Sequence, residues 1–445
     1  MTRTQAVTEL MDRNKEEVEA RIAYGIEAHR KGSFCLRLMD ESGVPAAGVR
    51  VKIEQIGHEF QHGANLFMLD QHETAEKKQK YRAAFAECFN LATLPFYWDT
   101  LEPEEGNPRF GAESSFVSRR PPVDPCLAYC RENGIAPKAH CLNYDHFTPA
   151  WLLGADVAEI KRRLAGRFEI LAKRYRDEIN CWEVVNELLC HNGATAFYND
   201  PEILEWSFRM AERYFPRNEL MINESNWHIF SRKNGGSLDL GNRNPYYMLV
   251  ERALHHGARI DSIGMQFHLF FKKELEGKNK AFYDFSAVYR ILDQFALLGK
   301  PLQITEVTVP AYDNTAEDYA LQAEILRRLL RIWFSHPAIE GVVYWNLVDG
   351  YAYQAEPGDM TAGENYYRGG LLDFDLNPKP AYRAMADLFQ KEWHTALSGE
   401  SGADGTLQFR GFYGRYRVTL EQNGVQKEEI LDFKKTGGHT RQLQF

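Results

Sequence analysis

The feature that most constrains the fold is a regular alternation of apolar stretches with helical patterns over about 330 residues. Each apolar stretch has the length of a buried strand, and most are followed by a stretch with apolar residues at helical spacing. The apolar stretches are FQHGANLF, NLATLPFYW, APKAHCLNY, NCWEVVNE, ELMINES, DSIGMQFHL, PLQITEV and GVVYWNLVD. Eight strands that alternate with helices predict an α/β fold, the (β/α)8 TIM barrel, whose active site lies at the carboxyl ends of the strands.

The intervening segments have the apolar spacing of helices that cover a barrel. The segment at 156–175 carries Ile160, Leu164, Phe168 and Leu171, and the segment at 315–334 carries Leu321, Ile325 and Leu329. Residues 5 to about 30 also predict one charged helix, with an apolar face of Leu10, Met11, Val18 and Ile22.

Alternating runs at both ends of the chain predict a small accessory β domain. FCLRLMD and VRVKIEQ surround a Gly/Pro turn, and the segment from Thr406 to Phe433 alternates around the hairpin signal Asn423-Gly424. SGESGADG precedes that segment and is typical of a linker. We expect a helix and strands at 1–56, the barrel at 57–397, and a β segment at 398–445 that packs with the N-terminal strands.

Composition bounds the partners and the location of the protein. The net charge of −9 does not favour nucleic acid or an anionic membrane as a partner, and no apolar run of 18 residues is present. The N-terminus lacks an apolar signal-peptide core, so we expect a cytoplasmic chain, or a secreted one if a leader has been removed. Nothing indicates a cofactor or a protein partner.

HEFQH at 58–62 matches the H-E-x-x-H motif of zinc proteases, which requires a helix to bring two histidines to one metal. The flanks contradict a helix, because Val49, Val51 and Ile53 alternate with charged residues as in a strand. On one strand, His58 and His62 would lie about 13 Å apart and could not share a metal ion. We therefore expect no metal site here, and expect the first barrel strand with histidines that are structural or at the cleft rim.

Polar residues follow or end several of the predicted barrel strands. The fourth strand ends in Asn186-Glu187 and the seventh in Thr305-Glu306. The third strand contributes His140, the sixth Gln266 and His268, and the eighth Trp345. Because these strand ends meet at one mouth of the barrel, we expect their side chains to lie close together. A single glutamate there would be an ordinary solvated cap, but the joint pattern favours an active site.

Two carboxylates across a cleft suit the hydrolysis of glycosidic bonds. One carboxyl group must donate a proton to the leaving oxygen, and the other must be ionised to attack the anomeric carbon or direct a water molecule. Asn186 could bind a sugar hydroxyl, His268 could orient the nucleophile, and Trp345 could support a sugar ring. The residues alone do not decide which glutamate has which role.

Several segments resemble glycoside hydrolase family 10, the endo-β-1,4-xylanases. WEVVNE resembles the acid/base segment of that family and ITEV its nucleophile segment. AHCLNYDHFTPAWL, IDSIGMQFHL, VVYWNLVD and LLDFDLNPKPAY match further segments in the same order, over roughly residues 57–395. The resemblance implies a retaining hydrolase with Glu187 as acid/base and Glu306 as nucleophile. It also implies a sugar site formed by His140, Tyr144, Asn186, Gln266, His268, Trp345 and Tyr353.

The chain departs from the family in the segment that grips the sugar on the non-reducing side. A Pro-Glu-Asn-x-x-Lys-Trp-like segment is usual on the second strand, but here the stretch is the shorter Leu94 to Trp98 without the Glu, Asn and Lys. Tyr144 and Tyr353 stand at positions of family tryptophans, and Asn346 follows Trp345 where the family has glycine. Because lost hydrogen-bond partners change which sugar is accepted, the retaining chemistry is a firmer expectation than xylan as substrate.

Three functions remain open at this point. The first is xylan degradation, by cleavage of β-1,4-xylan or xylo-oligosaccharides. The second is the same chemistry on another β-linked sugar, by an exo-acting enzyme with an altered pocket. The third is a carbohydrate-binding barrel without catalysis, which the fold alone does not exclude but which would need neither glutamate.

Overall fold

The computed structural model describes residues 2–190, 193–230 and 240–445. The strands are β1 (Lys31–Met39), β2 (Arg50–His58), β3 (Gln61–Asn65), β4 (Leu91–Pro95), β5 (Ala136–His140), β6 (Cys181–Asn186), β7 (Glu219–Glu224), β8 (Ser262–His268), β9 (Leu302–Thr308), β10 (Ile339–Tyr344), β11 (Ala396–Glu400), β12 (Thr406–Phe412), β13 (Gly414–Gln422), β14 (Val425–Phe433) and β15 (Thr440–Gln444). The α-helices are α1 (Arg3–Met11), α2 (Lys15–His29), α3 (Ala75–Cys88), α4 (Trp98–Leu101), α5 (Val123–Asn133), α6 (Val157–Tyr175), α7 (Ile203–Tyr214), α8 (Pro245–His255), α9 (Phe285–Ala296), α10 (Ala316–Ser335) and α11 (Pro380–Asp387).

Strands β3 to β10 close into a parallel barrel, with β10 paired to β3. Helices α3 and α5 to α11 each follow one barrel strand, which confirms the predicted (β/α)8 fold. The two helices singled out from the sequence are α6 and α10. Asp156 caps α6 by accepting from the Glu159 amide, and Thr315 caps α10 by accepting from the Asp318 amide. The apolar residues predicted to face the core on both helices are buried.

The N-terminal segment forms two helices where the sequence predicts one. Asn14 adopts a φ of +52° between α1 and α2, a left-handed conformation that ends a helix and that asparagine tolerates better than most residues. Both helices pack on the barrel. The side chain of Arg331 on α10 bonds Glu19 at 2.6 Å, and Arg3 bonds Glu276 at 2.6 Å.

Two small sheets lie beside the barrel and enclose a separate apolar core. One has the order β12-β1-β15 and the other β11-β2-β13-β14. Asn423 and Gly424 both adopt positive φ in the turn between β13 and β14, as a two-residue hairpin requires. Phe412 and Tyr416 are buried, so these two aromatic rings are not surface platforms for a sugar. The stretch SGESGADG, predicted to be a linker, begins within β11.

His58 and His62 lie on two different strands, at the end of β2 and within β3. Their ring centroids are 5.9 Å apart, so the expected spacing of about 13 Å is wrong, because the chain bends at Glu59 and Phe60. His58 bonds the Phe389 carbonyl at 2.9 Å, and His62 stacks on the Phe389 ring. Among the described residues, no group of three or more His, Cys, Asp or Glu could hold a metal ion.

No helix within the described ranges combines the length and apolar character that crossing a bilayer requires.

Candidate active site

One cleft at the carboxyl ends of the barrel strands is lined by every site residue that the sequence predicts. Its volume is about 250 Å³. The predicted residues in its wall are His140, Tyr144, Asn186, Glu187, Gln266, His268, Glu306, Trp345 and Tyr353. The strand order of the barrel thus brings together side chains that are more than 200 positions apart in sequence.

Gln266 joins the two carboxylates. Its Nε2 group donates to Glu187 Oε1 at 2.6 Å and to Glu306 Oε1 at 3.0 Å, so these two oxygens lie no more than about 5.6 Å apart. Retaining glycosidases have carboxyl groups about 5–5.5 Å apart, whereas inverting enzymes leave about 6.5–9.5 Å for a water molecule. This upper bound lies below the range of inverting enzymes and fits a retaining pair.

Glu306 is buried and surrounded by nitrogen atoms. Asn223 Nδ2 donates to its Oε1 at 3.0 Å, and His268 Nε2 lies 3.2 Å from its Oε2. Asn223 is itself held by Thr305 Oγ1, which donates to its Oδ1 at 2.5 Å. Burial raises the pKa of Glu306 well above its ordinary value, and the negative charge of Glu187 adds to that shift. The pair therefore retains a proton at a pH where isolated glutamates would hold none.

Glu187 lies where β6 leaves the barrel, with a φ of +51°. A non-glycine residue in the left-handed region is strained, and such strain is concentrated at functional sites. The Tyr144 hydroxyl donates to Glu187 Oε2. Burial, together with the charge of Glu187, raises the pKa of Tyr144, so this hydroxyl remains a donor at any ordinary pH.

His268 is held between β8 and β9. Its Nδ1 lies 3.0 Å from Thr308 Oγ1, and its ring stacks on Phe270 with the centroids 4.4 Å apart. Burial lowers the pKa of His268 to about 4, so the ring is neutral near pH 7.

An ion pair inside the barrel fixes His140, and sequence reasoning missed it. Lys138 Nζ bonds Glu183 Oε1 at 2.5 Å and Gln303 Oε1 at 2.9 Å, and His140 Nδ1 donates to Glu183 Oε2. Burial opposes ionisation of Glu183, but Lys138 and His140 outweigh it and lower its pKa to about 2. The sequence did contain a sign of this ion pair, because a charged residue interrupts each of the two apolar strands. Lys138 lies two residues before His140, and Glu183 lies three residues before Asn186.

Two arginines from the loop before α5 also line the cleft and were not predicted. Arg119 Nη2 donates to Asn346 Oδ1 at 2.8 Å, and Asn346 Nδ2 donates to Glu364 Oε2 at 2.6 Å. The Arg120 guanidinium lies over the Tyr97 ring, 3.9 Å from its centroid. Asn346 has a φ of +67°. Glycine adopts positive φ without steric cost, which explains why it suits this position in the family that the sequence resembles. No periodic pattern marks this loop.

Aromatic rings form the rest of the wall. Trp345 packs edge-on against Phe67 with the ring centroids 5.2 Å apart, and the Tyr97 hydroxyl is hydrogen-bonded to His140 Nε2 at 3.0 Å. Trp227 lines the cleft with 41% of its surface exposed, and its ring packs against Phe271. A half-exposed indole at the rim offers a flat apolar face to a sugar ring.

Comparison with known proteins gives a consistent result. The profile of Glycosyl hydrolase family 10 matches residues 59–388. Anti-sigma-I factor RsgI6 of Acetivibrio thermocellus is 24% identical over 402 residues, which covers 89% of this chain and 46% of that protein. Endo-1,4-beta-xylanase B of Thermotoga neapolitana is 25% identical over 370 residues, which covers 80% of this chain and 95% of that enzyme. The chain thus spans about half of the first relative and nearly all of the second.

Solved structures share the fold. Xylanase 10B from Thermotoga petrophila RKU-1, determined in complex with xylobiose, has a TM-score of 0.59 and 22% sequence identity. That alignment covers 75% of this chain and 95% of the xylanase. Native xylanase 10B from Thermotoga maritima gives the same TM-score of 0.59 over 75% of this chain and 96% of that structure.

Proposed function

The chain belongs to glycosyl hydrolase family 10, and from that premise we propose that it is a retaining, endo-1,4-β-xylanase-like glycosidase. The observation that carries this proposal is the Gln266 bridge, which holds Glu187 and Glu306 at the spacing of a retaining pair. The substrate that the named xylanase relatives suggest is β-1,4-xylan or xylo-oligosaccharides.

We assign the ionised role to Glu306. Burial and the negative charge of Glu187 raise the pKa of Glu306, but the second of these effects disappears once Glu187 carries the proton. Three nitrogen atoms, from Asn223, Gln266 and His268, then surround the Glu306 carboxylate, and hydrogen bonds to the charged form favour that form. With His268 neutral, its Nε2–H donates to Glu306 and its Nδ1 accepts from the Thr308 hydroxyl. The proton of the coupled pair then lies on Glu187, which is the acid.

The first step forms a covalent intermediate. Glu187 gives its proton to the glycosidic oxygen, and the bond between that oxygen and the anomeric carbon breaks. A carboxylate oxygen of Glu306 attacks the anomeric carbon from the opposite face and forms a glycosyl ester. Gln266 contacts both carboxylates, so it keeps the acid and the nucleophile at a fixed separation as the proton leaves Glu187 and Glu306 attacks.

The second step releases the sugar with its original configuration. Glu187, now ionised, takes a proton from a water molecule, whose oxygen attacks the anomeric carbon as the ester bond to Glu306 breaks. Two inversions leave the β configuration of the product. These steps use only side chains of the cleft and need no cofactor.

We also propose that residues 57–397 are the catalytic unit, and that the helices and strands at 1–56 and the β segment at 398–445 brace it. Arg30 supports this, because its guanidinium bonds the carbonyl groups of His336 and Ile339 at 2.6 Å each, just before and within β10. Replacing Arg30 with methionine should therefore lower the thermal midpoint. An unchanged midpoint would contradict a bracing role.

The experiment that tests the function is hydrolysis of xylo-oligosaccharides, with the first product followed by NMR. We expect the β anomer to form first. Glu306→Gln should lower kcat on the order of a thousandfold or more. Glu224→Gln is the matched control, because Glu224 ends β7 and accepts from backbone amides of Leu189 and Ser225.

The outcomes separate the alternatives. An α anomer formed first would contradict the retaining mechanism. Loss of turnover in Glu224→Gln with normal turnover in Glu306→Gln would contradict the assigned nucleophile. If the protein cleaves another β-glycoside but no xylo-oligosaccharide, the proposed retaining chemistry would stand and the proposed substrate would be wrong.

A further inference from the structure

Arg119 and Arg120 bring two positive charges into the cleft without a neutralising partner in contact. Only 8% and 7% of their surfaces are exposed, and the Nε atom of each is buried without a hydrogen-bond acceptor. Within the described part of the chain, no carboxylate oxygen lies within 4.0 Å of either guanidinium. Asp99 interacts with the charge of Arg120, and Glu364 with the charge of Arg119, from a greater distance. Burying an unpaired charge is costly, so the arrangement calls for an anion.

The two arginines differ in what their nitrogen atoms already do. Arg119 donates from Nη1 to the Tyr351 carbonyl and from Nη2 to Asn346, so it braces the loop after β10. Arg120 donates only from Nη1, to the Arg119 carbonyl at 3.0 Å. Its Nε and Nη2 groups contact no acceptor among the described residues. Arg120 is therefore the arginine with donors to spare.

The free edge of Arg120 is the edge that binds carboxylates elsewhere in this chain. Arg82 pairs with Asp70 through Nε at 2.8 Å and Nη2 at 2.6 Å. Arg415 pairs with Asp432 through the same two atoms, at 2.9 Å and 3.2 Å. A planar fork of two N–H groups matches the two oxygens of a carboxylate.

Arg120 lines the same cleft as the reacting groups. Its guanidinium lies over the Tyr97 ring. The Tyr97 hydroxyl is hydrogen-bonded to His140, whose ring centroid lies 5.5 Å from that of Trp345. The same cleft holds both Glu187 and Glu306. An anion bound by Arg120 would thus belong to a sugar at or next to the cleaved bond.

We propose that Arg120 binds the carboxylate of a uronic acid residue in the β-linked glycan, with Arg119 as a positioning residue. The inference rests on the proposed glycosidase function and narrows its substrate to an acidic glycan. A sulfate or phosphate ester on a neutral sugar would offer the same oxyanion chemistry, and the experiment separates these sources.

The test compares two oligosaccharides of the same size. One is a xylo-oligosaccharide that carries a single glucuronate, and the other is the same molecule with the carboxyl group reduced to an alcohol. We expect the wild-type protein to favour the acidic form in kcat/KM by about tenfold to a hundredfold, as one charge-assisted hydrogen-bonded contact would give. Arg120→Gln should bring that ratio close to one, and Arg120→Lys should leave an intermediate ratio.

Arg162→Gln is the matched control, because it removes the same charge from the exposed face of α6 and should keep the wild-type ratio. A wild-type ratio near one would overturn the inference while leaving the glycosidase function intact. So would an unchanged ratio in Arg120→Gln. Stronger cleavage of a sulfated or phosphorylated oligosaccharide than of the glucuronate would overturn the uronic acid assignment.

A calorimetric measurement separates the inference from the proposed function. It compares how tightly the Glu306→Gln variant binds the acidic and the reduced oligosaccharide. If wild type cleaves neither compound but the variant binds the acidic one at least tenfold more tightly, the inference stands and the proposed function fails. If the variant binds both equally, the inference fails. If Arg120→Gln does not fold, the inference is tested by comparing Arg120→Lys with wild type. The quantity compared is the ratio of kcat/KM for the acidic and the reduced oligosaccharide.

Discussion

Replacing Lys138 with methionine should destabilise the fold by about 3–5 kcal/mol, because it leaves the buried carboxylate of Glu183 without its cation. Lys138 has no exposed side-chain surface and Glu183 only 1%, so solvent does not screen the pair. The pKa of Glu183, about 2 against an ordinary 4.5, gives an independent magnitude. At about 1.36 kcal/mol for each pKa unit, that shift corresponds to roughly 3 kcal/mol at neutral pH.

The assay is urea unfolding at pH 7, followed by tryptophan fluorescence, with the buried Trp182 next to Glu183 on β6 as a reporter. The double variant Lys138→Met/Glu183→Gln is the matched control. It buries no charge, so it should recover much of the stability that the single variant loses. A loss below about 1 kcal/mol in Lys138→Met, or a double variant less stable than the single one, would refute the reasoning.

Other consequences follow from the same geometry. Because the pKa of Glu183 is depressed in the folded state, its contribution to the free energy of unfolding should be fully present above about pH 4.5 and should disappear as the pH falls towards 2. In Glu183→Gln, the pH dependence of the urea unfolding midpoint should lack this contribution. Gly63→Ala should destabilise the barrel by about 1–3 kcal/mol, because its Cβ would lie 2.3 Å from the Leu91 carbonyl oxygen, and an unchanged thermal midpoint would contradict that. Tyr144→Phe should lower kcat/KM about tenfold, because it removes a hydrogen-bond donor to Glu187. If the variant had the kcat/KM of wild type, Tyr144 would have no role in catalysis.

The barrel was predictable because its strands are buried on both faces and therefore stand out as apolar stretches of the right length. Once their order is known, polar residues at the carboxyl ends must meet, and Glu187 and Glu306 do lie in one cleft. The Gln266 bridge between them was not predictable, because it depends on the register between β8 and β9, which shifts next to Gln266.

Other features had no local signature. Arg119 and Arg120 reach the cleft from an irregular loop, whose path depends on contacts such as Arg109 with the Ser115 carbonyl. The close approach of His58 and His62 depends on a bend that the alternating pattern does not encode. Periodicity thus predicts the elements and their ends, whereas loops and bends are determined by long-range packing.

Azide rescue tests the assignment of the two glutamates most directly, with an aryl β-xyloside as substrate. If Glu306 is the nucleophile, Glu306→Ala should regain turnover with azide and form the α-glycosyl azide, by a single inversion. If Glu187 is the acid/base, Glu187→Ala with azide should form the β-glycosyl azide through the covalent intermediate. Exchanged products, with the β azide from Glu306→Ala and the α azide from Glu187→Ala, would contradict the proposed mechanism.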